Sequence, residues 1–241
     1  MNTGSVPFQS LARNVALSAV GNSTKADAAY FELRRGILTG SLLPGHLLEQ
    51  ETLAAQLELS TTPVREALRH LEAEGLVESI AFRKVRVSRL SKRELRELYE
   101  IRLSLDPLAA SLAATNASTD EIEQSRKALV FGEHDPLKRL EVNRAFHHSI
   151  YSASNSTSLT AMLDSLWDRT DRYRYVLARR GVDLSISVVH ADQSHQAMWD
   201  ALANREPETL AKLMHDHITE SVDRMEQLTA DLDALSDVAV P

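Results

Sequence analysis

The chain has 241 residues, no cysteine and a formal net charge of −7. Absent thiols exclude disulfides and thiolate metal sites, and no run reaches the ~18 apolar residues of a membrane-spanning helix. The acidic balance excludes a broadly basic surface, so any nucleic-acid binding must rest on a local patch within a Debye length of ~8–10 Å.

Residues 1–24 are rich in Ser, Asn and Thr and lack the charged-then-apolar layout of a signal peptide, so a flexible N-terminal tail is expected. Residues 26–40 predict a first helix with Tyr30, Leu33, Ile37 and Leu38 inward. Pro44-Gly45 then turns the chain into Leu47-Leu48, a short β segment or bend. Residues 50–57 (QETLAAQL) form a short amphipathic helix, and Glu58-Leu59-Ser60 is a turn of helix-turn-helix length. In the next helix Ser60, Thr61 and Thr62 offer oxygens for capping, and Pro63 suits a first-turn position. Val64, Ala67, Leu68 and Leu71 share one apolar face, Arg65, Arg69 and His70 point elsewhere, and Gly75 can end the helix. Two short strands, 76–79 and 85–88, flank Ala81-Phe82-Arg83-Lys84. Helix, turn, helix and hairpin make a winged helix-turn-helix, a DNA-reading device. Residues 25–90 hold nine basic and nine acidic side chains. The basic ones gather on the helix after this turn and on the wing, at Arg65, Arg69, Arg83, Lys84, Arg86 and Arg89. Residues 91–241 carry the acidity, with 17 basic against 25 acidic side chains.

Residues 34–87, through LRRGILTGSLLPGHLL, ETLAAQLELS and TTPVREALRHLEAEGLV, resemble the DNA-binding domain of the GntR regulators. The resemblance implies that Ser60, Thr61, Thr62 and Arg65 contact phosphates and base edges of double-stranded DNA, with Arg69, Arg83, Lys84 and Arg86 completing the basic footprint. Thr61 stands where the family usually has Arg, Glu58 where it has Gly, and Phe82-Arg83-Lys84 where the wing usually contains Gly.

The second half predicts six helices and no strand: 92–115, 118–131, 136–152, 159–179, 185–204 and 207–228. Ser91 with Glu94 and Ser118 with Glu121 have the spacing of capping boxes. The first of these helices carries Leu95, Leu98, Ile101, Leu105, Leu108 and Leu112, read as core positions. The expected fold is mainly α: a tail (1–24), a winged helix-turn-helix domain (25–90), an all-α bundle (91–230) and a C-terminal tail (231–241).

Asn143 and His147 are four apart and share a helix face; Phe146 and Ile150 on the adjoining face turn that stripe inward. His195 is in register with Met198, Ala201 and Leu202, and His217 with Leu210, Leu213 and Met214. Isolated imidazoles facing a core are costly, and a shared Zn, Ni, Mn or Fe(II) ion would offset that cost. The competing reading is three separately satisfied core histidines; His148, His190 and His215 read as surface or supporting groups. Residues 94–225, through EIRLSLDPLAA, NRAFH, His195 and His217, resemble the FCD effector domain of the FadR subgroup. That resemblance implies a divalent metal held by Asn143, His147, His195 and His217. Asn143 stands at the family's Asp position and offers a carbonyl oxygen without charge, and Asn155-Ser156 replaces a family Gly-Asn.

Arg102 lies beside the leucines of the first bundle helix, where it can clamp a carboxylate or simply bridge to Asp106 four residues on. Arg172, Tyr173, Arg174 and Tyr175 add donors to the same cavity or form a plain helix face; Arg172 and Tyr175 complete the expected effector site with Arg102. The function these readings predict is a cytoplasmic, nucleoid-associated regulator, in this family usually a repressor. It would bind an inverted-repeat operator as a homodimer and answer to a small organic acid. Two alternatives remain at this level: a metal-dependent hydrolase on the bundle, which lacks an evident general base, and an effector-independent nucleoid or scaffold protein.

Overall fold

The computed structural model describes residues 24–80, 84–182, 184 and 188–229. Arg83 and the two terminal tails, apart from Thr24, lie outside the described residues, as does the predicted helix start at Ser185. Two compact units divide the chain between Leu90 and Ser91.

The first unit begins one residue earlier than its composition suggests. Thr24 caps α1 (Lys25–Leu38) in a reciprocal box with Asp27. Then come β1 (Leu47–Leu48), α2 (Gln50–Gln56), α3 (Thr61–Ala73), β2 (Val77–Ile80) and β3 (Lys84–Val87). The Leu47-Leu48 segment is a true strand, pairing Leu47 with Arg86 and Leu48 with Val85, so the wing is a three-stranded antiparallel sheet in the order β1-β3-β2. Glu58, in the turn between α2 and α3, takes φ +55 without a glycine. Gly75 takes φ +73 just past α3, and the Leu76 N–H closes onto Leu71 O at 2.9 Å, which stops the helix as expected. Val64, Ala67, Leu68 and Leu71 of α3 are buried against Leu33 and Ile37 of α1 and Val85 and Val87 of the sheet.

The second unit is all α among its described residues: α4 (Lys92–Asn116), α5 (Thr119–Ala128), α6 (Pro136–Ser152), α7 (Thr157–Arg179), α8 (Val188–Ala203) and α9 (Pro207–Leu228). Ser118 and Glu121 form a full capping box, whereas Ser91 and Glu94 form half of one. Ser91 accepts from the Glu94 N–H, but the Glu94 carboxylate is taken by Tyr173 Oη at 2.7 Å and Arg169 at 2.6 Å on α7. A tertiary contact displaces the local one. Helix α5 ends three residues short of Phe131, leaving Val130 and Phe131 half-exposed in a loop.

The face of α4 differs most from expectation. Ile101 and Leu108 are 47% and 49% exposed and Leu105 and Leu112 half-buried, while Arg102, Asp106, Ala109, Ala110, Ala113 and Ala114 are buried. Arg102 and Asp106 neutralise each other as an ion pair at 2.9 Å, and the four alanines allow neighbouring helices close approach. The inward face is therefore chosen by pairing and fit rather than by side-chain hydrophobicity.

Candidate functional site

In the first unit, burial of Pro63, Val64, Ala67, Leu68 and Leu71 forces the opposite side of α3 outward. Ser60, Thr61, Thr62, Arg65 and Arg69 are all exposed there, and Thr62, Arg65 and Arg69 follow one another at helical spacing. Ser60 sits at the N-cap but makes no side-chain cap bond, contrary to the capping expectation. Lys84 is exposed at the start of β3. Arg86 is tied across the hairpin to Glu78, Nε to carboxylate at 2.8 Å, so part of its charge is spent within the sheet.

In the second unit α6, α8 and α9 bring His147, His195 and His217 together, with one ring nitrogen of each within 4.8 Å of the others. The ring centroids are 4.9 to 5.1 Å apart. His147 Nε2 and His217 Nε2 lie 3.2 Å apart; two imidazoles on a tetrahedral ion with bonds of ~2.0–2.1 Å would be separated by about 3.3 Å. The Ser194 hydroxyl meets His217 Nδ1 at 3.0 Å, which leaves Nε2 for the cluster. His195 Nε2 is buried without a hydrogen-bond partner among the described residues. Burial pulls His195 down to about 4 against the partial opposition of Asp192. Burial also drives His147 well below its usual value, with repulsion from His217, His195, Arg102 and Arg174 adding to it. Neutral imidazole is the ligating form. A close nitrogen edge, an orphaned buried nitrogen and neutral rings together fit a divalent ion.

A cavity of about 300 Å3 adjoins the triad, lined by Asn143, His195, His217, Arg139, Arg174 and Arg224 among others. That volume lies at the lower end of small-molecule sites. Asn143 thus shares the cavity with the histidines. The three residues expected to hold an effector do not line it. Arg102 is fully buried against Asp106 and Thr170, with its guanidinium over the Trp167 ring. Arg172 is buried where burial lowers its pKa and Glu94 opposes. Tyr175 is half-buried and pushed up to about 12 by burial and then by Asp171 and Glu141.

Arg174 is the guanidinium of that run that reaches the cavity. It donates to Tyr99 Oη at 3.2 Å and Ser221 Oγ at 3.3 Å, and Asp171 lies 3.5 Å away. Arg139, Ser194 and Arg224 were not read from the sequence although each had a signal: Arg139 lies one turn before Asn143 on α6, Ser194 precedes His195 on α8, and Arg224 lies two turns after His217 on α9. His148 and His215 are exposed.

Comparison with known proteins follows the division into two units. Residues 25–87 match the gntR family of bacterial regulatory proteins, and residues 97–220 match the FCD domain. Similar proteins include the HTH-type transcriptional repressor GlaR of Escherichia coli (strain K12), 27% identical over 83% of this chain and 96% of that protein. A probable D-xylose utilization operon transcriptional repressor of Paenarthrobacter nicotinovorans is 31% identical over 76% of this chain and 80% of its own length. Among solved structures, E. coli McbR/YncC superposes with a TM-score of 0.65 at 24% identity, over 90% of this chain and all of that one, which speaks to the fold.

Proposed function

Because the chain belongs to the GntR family of bacterial regulatory proteins and carries an FCD domain, and is thus a DNA-binding transcription regulator rather than an enzyme, we propose how it reads DNA and what it answers to. Helix α3 enters the major groove of an inverted-repeat operator, and a small organic acid bound beside a metal in the helical unit alters that affinity. The observation that carries the DNA half is the outward row Ser60, Thr61, Thr62, Arg65 and Arg69. Hydroxyls not spent on capping can meet phosphates, and two guanidiniums on one helix side can meet phosphates or guanine edges. Lys84 and Arg86 of the wing add backbone contacts. Two relatives are named as repressors, which supports repression, exercised in the cytoplasm on the nucleoid.

The effector half rests on the triad. Three imidazoles with Asn143 beside them suit Zn, Ni or Fe(II), and Mn less well. The acid's carboxylate takes an open metal position, with Arg174 as its charge partner on the cavity wall. From His147 the path to α4 is short: its ring lies 4.8 Å from that of Trp167, and Trp167 donates to Asp106 at 2.9 Å. Helix α4 begins directly after the DNA-binding unit, so an acid favouring one arrangement of α4 shifts the population that binds operator.

A second copy of the chain completes the reader. Across residues 101–116 the charged side chains are Arg102 and Asp106, both buried against each other, so four turns of α4 present Ile101, Leu105, Leu108 and Leu112 without an exposed charge. A solvated helix face carries charges; a two-fold interface does not need them. The closing experiment is a gel shift on the operator with and without candidate acids, run beside His147→Ala. The variant is expected to keep DNA affinity and to lose both bound metal, by elemental analysis, and the acid response. Unchanged metal content sinks the metal reading; the absence of any acid-induced thermal shift favours an effector-independent DNA binder.

A further inference from the structure

Among the described residues, α1, α4 and α5 each begin with a hydroxyl residue and, three residues on, a carboxylate, the spacing of a capping box. Two of the boxes close on themselves. The Thr24 N–H reaches Asp27 Oδ2 at 2.8 Å, and the Ser118 N–H reaches Glu121 Oε2 at 2.7 Å. At α4 a phenol fills the equivalent gap. The Ser91 N–H donates to Tyr173 Oη at 3.2 Å, and that oxygen lies 2.7 Å from Glu94 Oε2. One hydroxyl from α7 is thus inserted between the two halves of the box. The return half is intact, the Glu94 N–H reaching Ser91 Oγ at 3.1 Å. Arg169 holds the other carboxylate oxygen, Oε1, at 2.6 Å, and the Ser91 carbonyl lies 3.0 Å from the same phenol.

We propose that the first turn of α4 is a two-state joint. In one state α7 holds Ser91 through Tyr173, as observed; in the other the phenol withdraws and Glu94 closes on the Ser91 N–H, as Asp27 and Glu121 do in their boxes. Both states satisfy the Ser91 amide and the Glu94 carboxylate, which keeps them close in free energy. They differ in what Ser91 is tied to. Leu90 ends the first unit and Ser91 begins the second, so the inserted phenol fastens the exit of the DNA-binding unit to α7, whereas the closed box leaves it on α4 alone. Tyr173 is followed on α7 by Arg174, which lines the histidine cavity and donates to Tyr99 Oη, two turns beyond Ser91 on α4. Consecutive residues of one helix do not move independently, so a shift of α7 at the cavity is also a shift of the phenol at the joint. An occupant of the cavity that moves Arg174 biases the joint, whatever its chemistry.

The test is amide hydrogen exchange at Ser91, by NMR of the full-length protein, in the parent, Tyr173→Phe, Glu94→Ala and the double variant. Either partner alone suffices for the Ser91 N–H. Each single variant is therefore expected to exchange within about threefold of the parent, and the double variant about tenfold faster or more. Exchange in Tyr173→Phe as fast as in the double variant overturns the joint, because the box has then not closed; a double variant as slow as the parent overturns it too. The functional arm is a gel shift on a duplex that the parent selects from random DNA. Tyr173→Phe, confined to the closed box, is expected to shift affinity about threefold or more, while Glu94→Ala, which keeps the phenol on Ser91, stays within about twofold. Equal shifts in the two variants, as a merely structural role would give, overturn the link from joint to DNA, and so does unchanged affinity in Tyr173→Phe.

Discussion

The guanidinium carbon of Arg102 sits 3.7 Å from the centre of the Trp167 ring, and both side chains donate to Asp106, each at 2.9 Å. Thr170 accepts from Arg102 at 3.0 Å. These groups are buried and neutral as a set, and they join α4 to α7 at the edge of the histidine triad. Removing one charge strands the other. Arg102→Ala is expected to cost about 3–5 kcal/mol, the usual loss when one member of a buried ion pair is deleted. Urea denaturation measures it, and a loss below about 1 kcal/mol, in the range of exposed pairs, would show that Asp106 does not depend on Arg102.

Arg65 is exposed on the side of α3 opposite its buried face. Arg65→Ala should therefore leave thermal stability within about 0.5 kcal/mol while abolishing specific operator binding in a gel shift. Retained binding with the parent's sequence preference would move recognition elsewhere on the surface.

Leu108 lies at the middle of the charge-free face of α4 and is 49% exposed in the single chain. Leu108→Glu leaves the fold unharmed, since the carboxylate can reach water, but a two-fold interface would meet a buried charge from each copy. Sedimentation is expected to show monomer for the variant and dimer for the parent. A dimer that survives the substitution places the interface on another helix.

The histidines set an acid limit on the metal-free protein. His195 falls to about 4 on burial, and His147 drops by the same cause. The unfolded chain protonates them near 6.5, so the folded state binds fewer protons below that pH. Their contribution is fully present above pH 6.5 and is lost as the pH falls towards 4, up to about 3 kcal/mol from His195. Calorimetric melting of metal-free protein should show this decline, and His195→Gln should flatten it. Equal slopes for parent and variant would mean that the ring is not held neutral.

Much of this protein was legible in its residues. The turn and stop signals around α3, the capping box at Ser118 and the proline starts of α6 and α9 are each decided within a turn of chain. The histidines converge because each was in register with an apolar face, a property of its own helix. The hidden part depended on distant partners. Glu94 abandons its box for Tyr173, and Arg174 rather than Arg172 or Tyr175 reaches the cavity.

Local physics written into the sequence was thus sufficient for where helices begin and end, for the outward side of α3 and for the inward turn of three imidazoles. Tertiary structure alone decided which face of α4 is buried. Its leucines favour one side by transfer free energy, but Arg102 and Asp106 neutralise each other only when Trp167 and Thr170 are brought to them, and the alanines beside them let neighbouring helices close in. A choice between two faces of one helix depends on the neighbours that pack against it, and no run of residues within that helix contains them.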